Sequence, residues 1–413
     1  MNGHRLPGPG DGYGENHVNL ALFVPGFPSR EEDWFVPCVS SLVRGLGRHF
    51  RVDLYTMKYP RCRGQYRWHG LPVASFGHRS RILVGPVRLW AAVAAAREAH
   101  HRAGYDAVLA LWGDETALAA AIFAHRQRLP LLLKLSAGEA VSMPRLGFGS
   151  RRSPWKRFCL WAGIRRAAVL GVGSARQRED LLRLRVGRAS KPLLLPFGVD
   201  VDQFSPVSRS AAPSYNQRSG PALLAVGSLI RVKGFDLLLR ALAGLKALHP
   251  GMRLRVVGDG AEREKLGKLA AGLGLDGMVT WEGWVEHRRM PEVYQRADLM
   301  VSASLHEAQG MASLEAMACG LPVVGSDTGM LPELLANHAA GIIYPAGDTA
   351  ALGAALEMVL ANRERWPVMG ANGRAAVCRL VAETRVLALW RDTVECLLLN
   401  IKGPAGPGRR GFQ

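Results

Sequence analysis

At 413 residues the chain exceeds the usual size of one hydrophobic core, so two domains are expected. A composition 48% hydrophobic, with 47 glycines and 24 prolines, suits a globular α/β protein with many turns and excludes a disordered or fibrous one. The formal charge of +19 favours anions of any kind: nucleotides, nucleic acid or an anionic lipid surface.

The first 17 residues are polar and rich in glycine and proline, and lack the charged-then-apolar order of a secretory signal. VNLALFV (18–24) is an apolar run suited to a buried strand, and FVPCVSSLVRGLG reads as the helix after it. RVDLYTM follows as a strand, then an alanine-rich helix over 83–103. AVLALW (107–112), LPLLLKLS (129–136) and AAVLGVG (167–173) are further strands, with helical segments such as TALAAAIFAHRQ between them. No run of 18 or more apolar residues occurs, so a transmembrane helix is not expected.

SRSAAPSYNQRSGP (208–221) is polar and loop-like, and beyond it the alternation restarts. ALLAVGSL, MRLRVVGDG, MVTWEG, ADLMVSAS, LPVVGSD and AGIIYP read as strands, separated by helices such as GFDLLLRALAGLKALH, MPEVYQRA and SLEAMACG. The segments over 350–370 and from about 370 to 399 read as helical. Apolar strands alternating with helices predict mostly parallel sheets covered on both faces. The expected organisation is a flexible leader over 1–17, a first domain over 18–207, a linker over 208–221 and a second domain over 222–378. A helical segment over 379–400 would pack back toward the first domain, ahead of a flexible tail over 401–413. The fold class is α/β, with two doubly wound Rossmann-like domains facing across a cleft. This grammar suits a dehydrogenase, a periplasmic-type binding protein or a sugar-nucleotide transferase.

Chemistry concentrates in the second half. VGSLIRVKGF puts Gly227 and Gly234 in a strand-to-helix connection, where Arg231 and Lys233 could offset phosphate charge. A basic solvent-facing turn would read the same way. The GDG after MRLRVV contains Gly258, but a lone GxG is weak evidence and an ordinary sharp turn explains it better. Glu307 and Glu315 lie eight positions apart in HEAQGMASLE, one on a loop and one on the first turns of a helix. Carboxylates there can accept hydrogen bonds from neighbouring hydroxyls, including a bidentate pair on a ribose. The spacing also fits a capping and helix-surface pair.

Taken together, these segments resemble the retaining, nucleotide-sugar-dependent glycosyltransferases of family 4, in the GT-B fold, across roughly 18–400. The matching pieces are the FPS-containing strand-loop with Phe27, PFGVDVDQFSP, VGSLIRVKG, VVGDG, VYQRADLMVSAS, HEAQGMASLE, AMACGLPVV and DTGMLPELL. The resemblance implies that Lys233 contacts the donor diphosphate, Glu315 the nucleotide ribose, and Glu307 the donor-sugar hydroxyls. The backbone at Gly310, Met311 and Ala312 would neutralise the distal phosphate. Gly227, Ser228 and Gly258 would complete the donor side, and Phe27 and Glu139 would face the acceptor. The donor would be UDP- or GDP-linked, with no cofactor or metal, and the acceptor a glycan, lipid-linked or small molecule. The chain departs from the family pattern at Ser228, where a phosphate-binding arginine is usual; Arg231, three positions on, could compensate. It departs again at Ala308, where EGFG is EAQG, and at Ser136, where the first domain commonly has histidine. Ser228 and Ser136 motivate a second expectation, a weak or inactive nucleotide-sugar-binding partner in a glycan pathway.

Residues 145–191 hold 13 Arg or Lys against only Glu179 and Asp180, with Trp155, Phe158, Leu160 and Trp161 interleaved. Such a stretch reads first as a helix packed inward with a solvated basic face, and also suits an anionic membrane surface. No zinc-finger, RRM-like or KH-like signature points to nucleic acid. Six scattered cysteines without a CxxC pair give no zinc signal and fit isolated thiols in a reducing compartment. The expected location is cytoplasmic, with peripheral contact to the inner face of the membrane.

Overall fold

The computed structural model describes residues 18–30, 36–77, 85–184, 192–206, 220–335 and 339–402. The leader over 1–17, most of the 208–221 linker and most of the 401–413 tail therefore lie outside the described residues.

The first half is built on β1 (Asn19–Gly26), β2 (Arg51–Tyr59), β3 (Arg63–Trp68), β4 (Leu71–Phe76), β5 (Ala107–Leu111), β6 (Leu131–Lys134), β7 (Val169–Val172) and β8 (Leu193–Leu194). They form one sheet in the order β3-β4-β2-β1-β5-β6-β7-β8, parallel except for the β3–β4 hairpin. That hairpin has no counterpart among the expected strands. Its outer strand is mostly exposed and polar, so it carries little apolar signal. The turn takes positive φ at both His69 and Gly70, as tight hairpins require. The central strands are buried throughout, which is why they read as continuous apolar runs. Flanking them are α1 (Pro37–Leu46), α2 (Gly85–Ala103), α3 (Glu115–Arg126), α4 (Pro154–Arg166) and α5 (Ala175–Arg183). Asp114, Ser153 and Ser174 cap α3, α4 and α5 by accepting backbone N–H bonds from the first turn.

The second half holds β9 (Ala222–Val226), β10 (Arg253–Val257), β11 (Val279–Gly283), β12 (Leu299–Ser302), β13 (Val323–Ser326) and β14 (Gly341–Tyr344). Their order is β11-β10-β9-β12-β13-β14, all parallel. Around them lie α6 (Phe235–Leu245), α7 (Arg263–Gly272), α8 (Met290–Gln295), α9 (Met311–Ala318), α10 (Leu331–Leu335) and α11 (Thr349–Ala361). The chain direction across each sheet reverses beside its first strand, at β1/β5 and at β9/β12. Loops leaving the carboxyl ends of those strand pairs flank a crevice, where open α/β sheets bind ligands.

The helical run expected from about 370 to 399 is divided into α12 (Trp366–Val381) and α13 (Glu383–Lys402). Ala382 between them is extended and forms a bridge with Val199 of the connecting segment, which stops helix propagation. After this break α13 runs back onto the first half. Trp390 is fully buried there and donates its indole N–H to Pro196 O at 3.0 Å. Gly45 of α1 permits the approach, because a Cβ at that position would stand 2.2 Å from the Leu387 side chain.

The halves are also joined through the loop after β12. The Gln309 side chain donates to Phe197 O at 2.7 Å and accepts the Phe197 N–H at 2.8 Å. Ser174 Oγ donates to Ala308 O at 2.7 Å, and Glu333 accepts the Ala175 N–H at 2.8 Å. One apolar cluster continues beneath these bonds, from Leu22 and Val24 through Phe197 and Val199 to Met317 and Trp390. Replacing Gln309 by Ala leaves both buried Phe197 backbone groups unpaired, a cost of about 2–4 kcal/mol. Gln309→Ala should therefore lower the first thermal transition by several degrees in calorimetry; an unchanged transition would contradict the paired seam.

Candidate active site

At the second crevice β9 runs into Gly227, and β10 into Gly258 alongside it. The Gly227 N–H donates to Val257 O at 2.9 Å, and the Leu229 N–H to Asp259 O at 2.9 Å. Gly258 has φ +132°, and a Cβ on it would lie 2.0 Å from Gly227 O. The two loops can close together only with glycine at that position. Gly227 has φ +154°, and the methylene stem of Lys233 lies in ordinary contact range beside it. Ser228 and Arg231 are exposed on the same connection.

Lys233 ends the short 3-10 turn Arg231–Lys233, and its Nζ reaches Glu307 Oε1 at 2.5 Å. The same oxygen accepts a bond from Ser304 Oγ at 2.8 Å. Lys233 and Glu307 are 25% and 18% exposed, so the pair is sheltered yet open to a ligand. Among the described residues Arg231 makes no hydrogen bond or ion pair with either.

Three residues beyond Glu307, Gly310 adopts a left-handed conformation and starts α9. The Ser313 and Leu314 N–H groups turn back to Gly310 O. Met311 and Ala312 thus supply the leading amides of a helix that begins beside Glu307. The geometry combines one ammonium, one carboxylate and a helix N-terminus at a sheet crevice, which suits a phosphate-bearing ligand with hydroxyls.

Glu315 lies one turn further along α9, nearly buried. Its Oε2 accepts the Tyr294 hydroxyl at 2.8 Å, and its Oε1 meets His287 Nε2 at 2.9 Å. Burial, followed by the neighbouring Glu315 charge, pushes the Tyr294 hydroxyl well above its ordinary pKa. His287 packs on Phe204, with ring centroids 5.2 Å apart. Glu315 faces an interdomain cavity of about 170 Å³, lined also by Met311 and His287 and, from across the cleft, by Arg44, His69 and Asp200. The expected ribose contact is therefore held in place by two partners that sequence reasoning did not single out. Tyr294 stood inside the noted VYQRA stretch, whereas His287 sat unremarked in a basic run.

The two acceptor-side expectations fall elsewhere. Glu139 is buried, and its carboxylate accepts the N–H groups of Gly113, Ser136 and Ala137 at 3.3, 2.9 and 2.7 Å. It organises the loop after β6 and presents no carboxylate to the cleft. Burial raises its pKa despite those three donors. Phe27 is fully buried against Trp68, with centroids 4.9 Å apart, and belongs to the core. Two other groups were missed from the sequence. Lys134 is buried with its ammonium 4.0 Å from the Phe197 ring centroid, and desolvation lowers its pKa to about 8. His306, beside Glu307, packs near Phe148 with centroids 5.6 Å apart, and desolvation lowers its pKa as well. Among the described residues no group of three or more His, Cys, Asp or Glu is placed to hold a metal ion.

Residues 212–376 match the family model described as Glycosyl transferases group 1. The chain is 37% identical over 188 residues to D-inositol 3-phosphate glycosyltransferase of Geodermatophilus obscurus, covering 42% of this chain and 41% of that protein. It is 32% identical over 190 residues to the GDP-mannose-dependent alpha-(1-6)-phosphatidylinositol monomannoside mannosyltransferase of Mycolicibacterium smegmatis, covering 44% and 50%. The chain thus spans about half the length of these curated relatives. Sucrose-phosphate synthase from Thermosynechococcus elongatus superposes with a TM-score of 0.77 at 23% identity, covering 93% of this chain and 100% of that one. The second half carries a glycosyl transferases group 1 domain, and the two-domain architecture is the GT-B fold.

Proposed function

We propose that the protein transfers a sugar, with retention of anomeric configuration, from a nucleoside-diphosphate sugar to a hydroxyl acceptor. The observation that carries this reading is the Lys233–Glu307 pair at the β9/β12 crevice, beside the N-terminus of α9. In the donor complex Lys233 turns from Glu307 to the diphosphate, and the Met311 and Ala312 amides meet its distal phosphate. These groups stabilise the charge that develops as the bond from the sugar C1 to the phosphate oxygen breaks. Glu307 accepts hydrogen bonds from sugar hydroxyls, while Glu315, steadied by His287 and Tyr294, accepts the ribose hydroxyls. The acceptor oxygen forms the new bond to C1 from the face that the diphosphate vacates, and its proton passes to a donor phosphate oxygen. No protein nucleophile is required.

The donor is UDP- or GDP-linked; a relative's name specifies GDP-mannose. Two relatives are named for a phosphorylated inositol or a phosphatidylinositol mannoside, and the +19 charge of this chain favours an anionic acceptor of that kind. Exposed Ser228, in place of a cation, favours a second reading as a nucleotide-sugar-binding partner without turnover. Incubation with UDP- and GDP-sugars separates the two. Release of nucleoside diphosphate supports the enzyme, and binding with neither transfer nor hydrolysis supports the partner.

Lys233→Ala should lower kcat/KM by about 10²- to 10³-fold, measured as nucleoside diphosphate release. A wild-type rate would remove Lys233 from the diphosphate site. Glu315→Gln retains the side-chain volume and should weaken nucleoside diphosphate affinity about 10-fold or more by calorimetry. Unchanged affinity would contradict the ribose assignment.

A further inference from the structure

Helix α4 is apolar on two faces, and the fold uses only one of them. Cys159, Leu160, Gly163 and Ile164 are buried, with Gly163 pressed so close to α3 that a Cβ there would lie 2.9 Å from Ala117 Cβ. The opposite face presents Trp155, Phe158 and Trp161 at i, i+3 and i+6. They are 42%, 48% and 46% exposed. Successive rings stack with centroids 5.9 Å apart and 28° between planes, forming a continuous aromatic ladder. Arg165 sits over Trp161, its guanidinium carbon 5.3 Å from the ring centroid. Arg151, Arg152, Lys156 and Arg157 are exposed around the start of the ladder. Residues 150–166 include no Asp or Glu.

Three large aromatics held together in water are costly for a surface with no partner. Their surroundings define the partner's chemistry. The cations of this segment repel other cationic surfaces and suit a plane of negative charge. Glu115 of α3, which accepts the Trp155 indole N–H at 3.4 Å, is a carboxylate at the start of the ladder and is itself paired with Arg88. Trp and Phe side chains suit the boundary between head groups and acyl chains. Position supports the same partner. The segment leading into α4 passes the candidate site, since Phe148 packs against His306, the neighbour of Glu307. Among the described residues no helix is long and apolar enough to cross a membrane, so contact through α4 would be peripheral.

We propose that the outer face of α4 docks the protein on an anionic lipid surface, with Trp155, Phe158 and Trp161 in the interface and the flanking Arg and Lys at the head groups. This places the mouth of the cleft beside the bilayer. The docking itself does not depend on the transfer reaction proposed above.

The test uses the full chain and vesicles of phosphatidylcholine, alone or with about one third phosphatidylglycerol, near physiological salt. Sedimentation should show binding to the anionic vesicles at least about tenfold stronger than to the neutral ones, and weakening as salt rises. Brominated acyl chains should quench tryptophan emission, and Trp155→Phe with Trp161→Phe should abolish that quenching. Replacing Trp155, Phe158 and Trp161 together by Ser should reduce binding at least about tenfold. Lys156→Gln with Arg157→Gln should reduce it by a similar factor while leaving the packing of α4 intact. Far-ultraviolet circular dichroism and the thermal transition report whether each variant is folded. Wild-type binding by folded variants, or equal binding to neutral and anionic vesicles, would overturn the proposal. So would an aromatic face that drives self-association or retention on a neutral glycan column without vesicle binding.

Discussion

The reciprocal amide bond between Gln309 and the Phe197 backbone is the contact on which the arrangement of the cleft depends. It ties the loop carrying Glu307 and Gly310 to the segment that connects the two halves. Both partners are buried, so loss of the side-chain amide leaves a donor and an acceptor that water cannot readily reach. Ser174 and Glu333 add two further bonds across the same seam. The glutamine is the third residue of EAQG, a stretch in which the resemblance singled out only Ala308 as the departure. Here the EAQG variant has a structural use, because the amide spans the domains and Ala308 offers its carbonyl to Ser174.

Identical carboxylates meet three different fates in this fold, and their surroundings decide which can bind ligand. Glu139 turns inward onto three backbone donors and holds a loop. Glu315 is fixed by Tyr294 and His287 but still lines the interdomain cavity. Glu307 is opposed by a single lysine in a partly open crevice, the arrangement most easily exchanged for a ligand's phosphate and hydroxyls. A buried carboxylate whose bonds are all internal is a poor hydroxyl receptor. A sheltered ion pair at a strand-end crevice is a good starting point for one.

Much of this architecture was legible because buried parallel strands read as apolar runs, and most predicted strands coincide with observed ones. The β3–β4 hairpin was hidden because an exposed edge strand such as RGQYRW carries charge where apolar alternation is sought. The break at Ala382 was hidden for another reason: only the bridge to Val199, far away in sequence, interrupts an otherwise helical run. Lys233, Glu307, Gly310 and Glu315, the donor-side expectations, were singled out through spacing and resemblance, and the fold gathers them around one crevice and cavity. On the acceptor side, the same resemblance singled out Glu139 and Phe27, which the fold buries. A residue's place in a motif could not reveal that loop amides consume its carboxylate.

The central claim is that the donor occupies the crevice between β9 and β12. Hydrogen exchange of the full chain, with and without saturating UDP- or GDP-sugar, tests it most directly. A donor bound there should slow exchange at 226–234 and 304–316, with no change in the β3–β4 hairpin. Protection confined to the first half, or none in either loop under saturation, would contradict it.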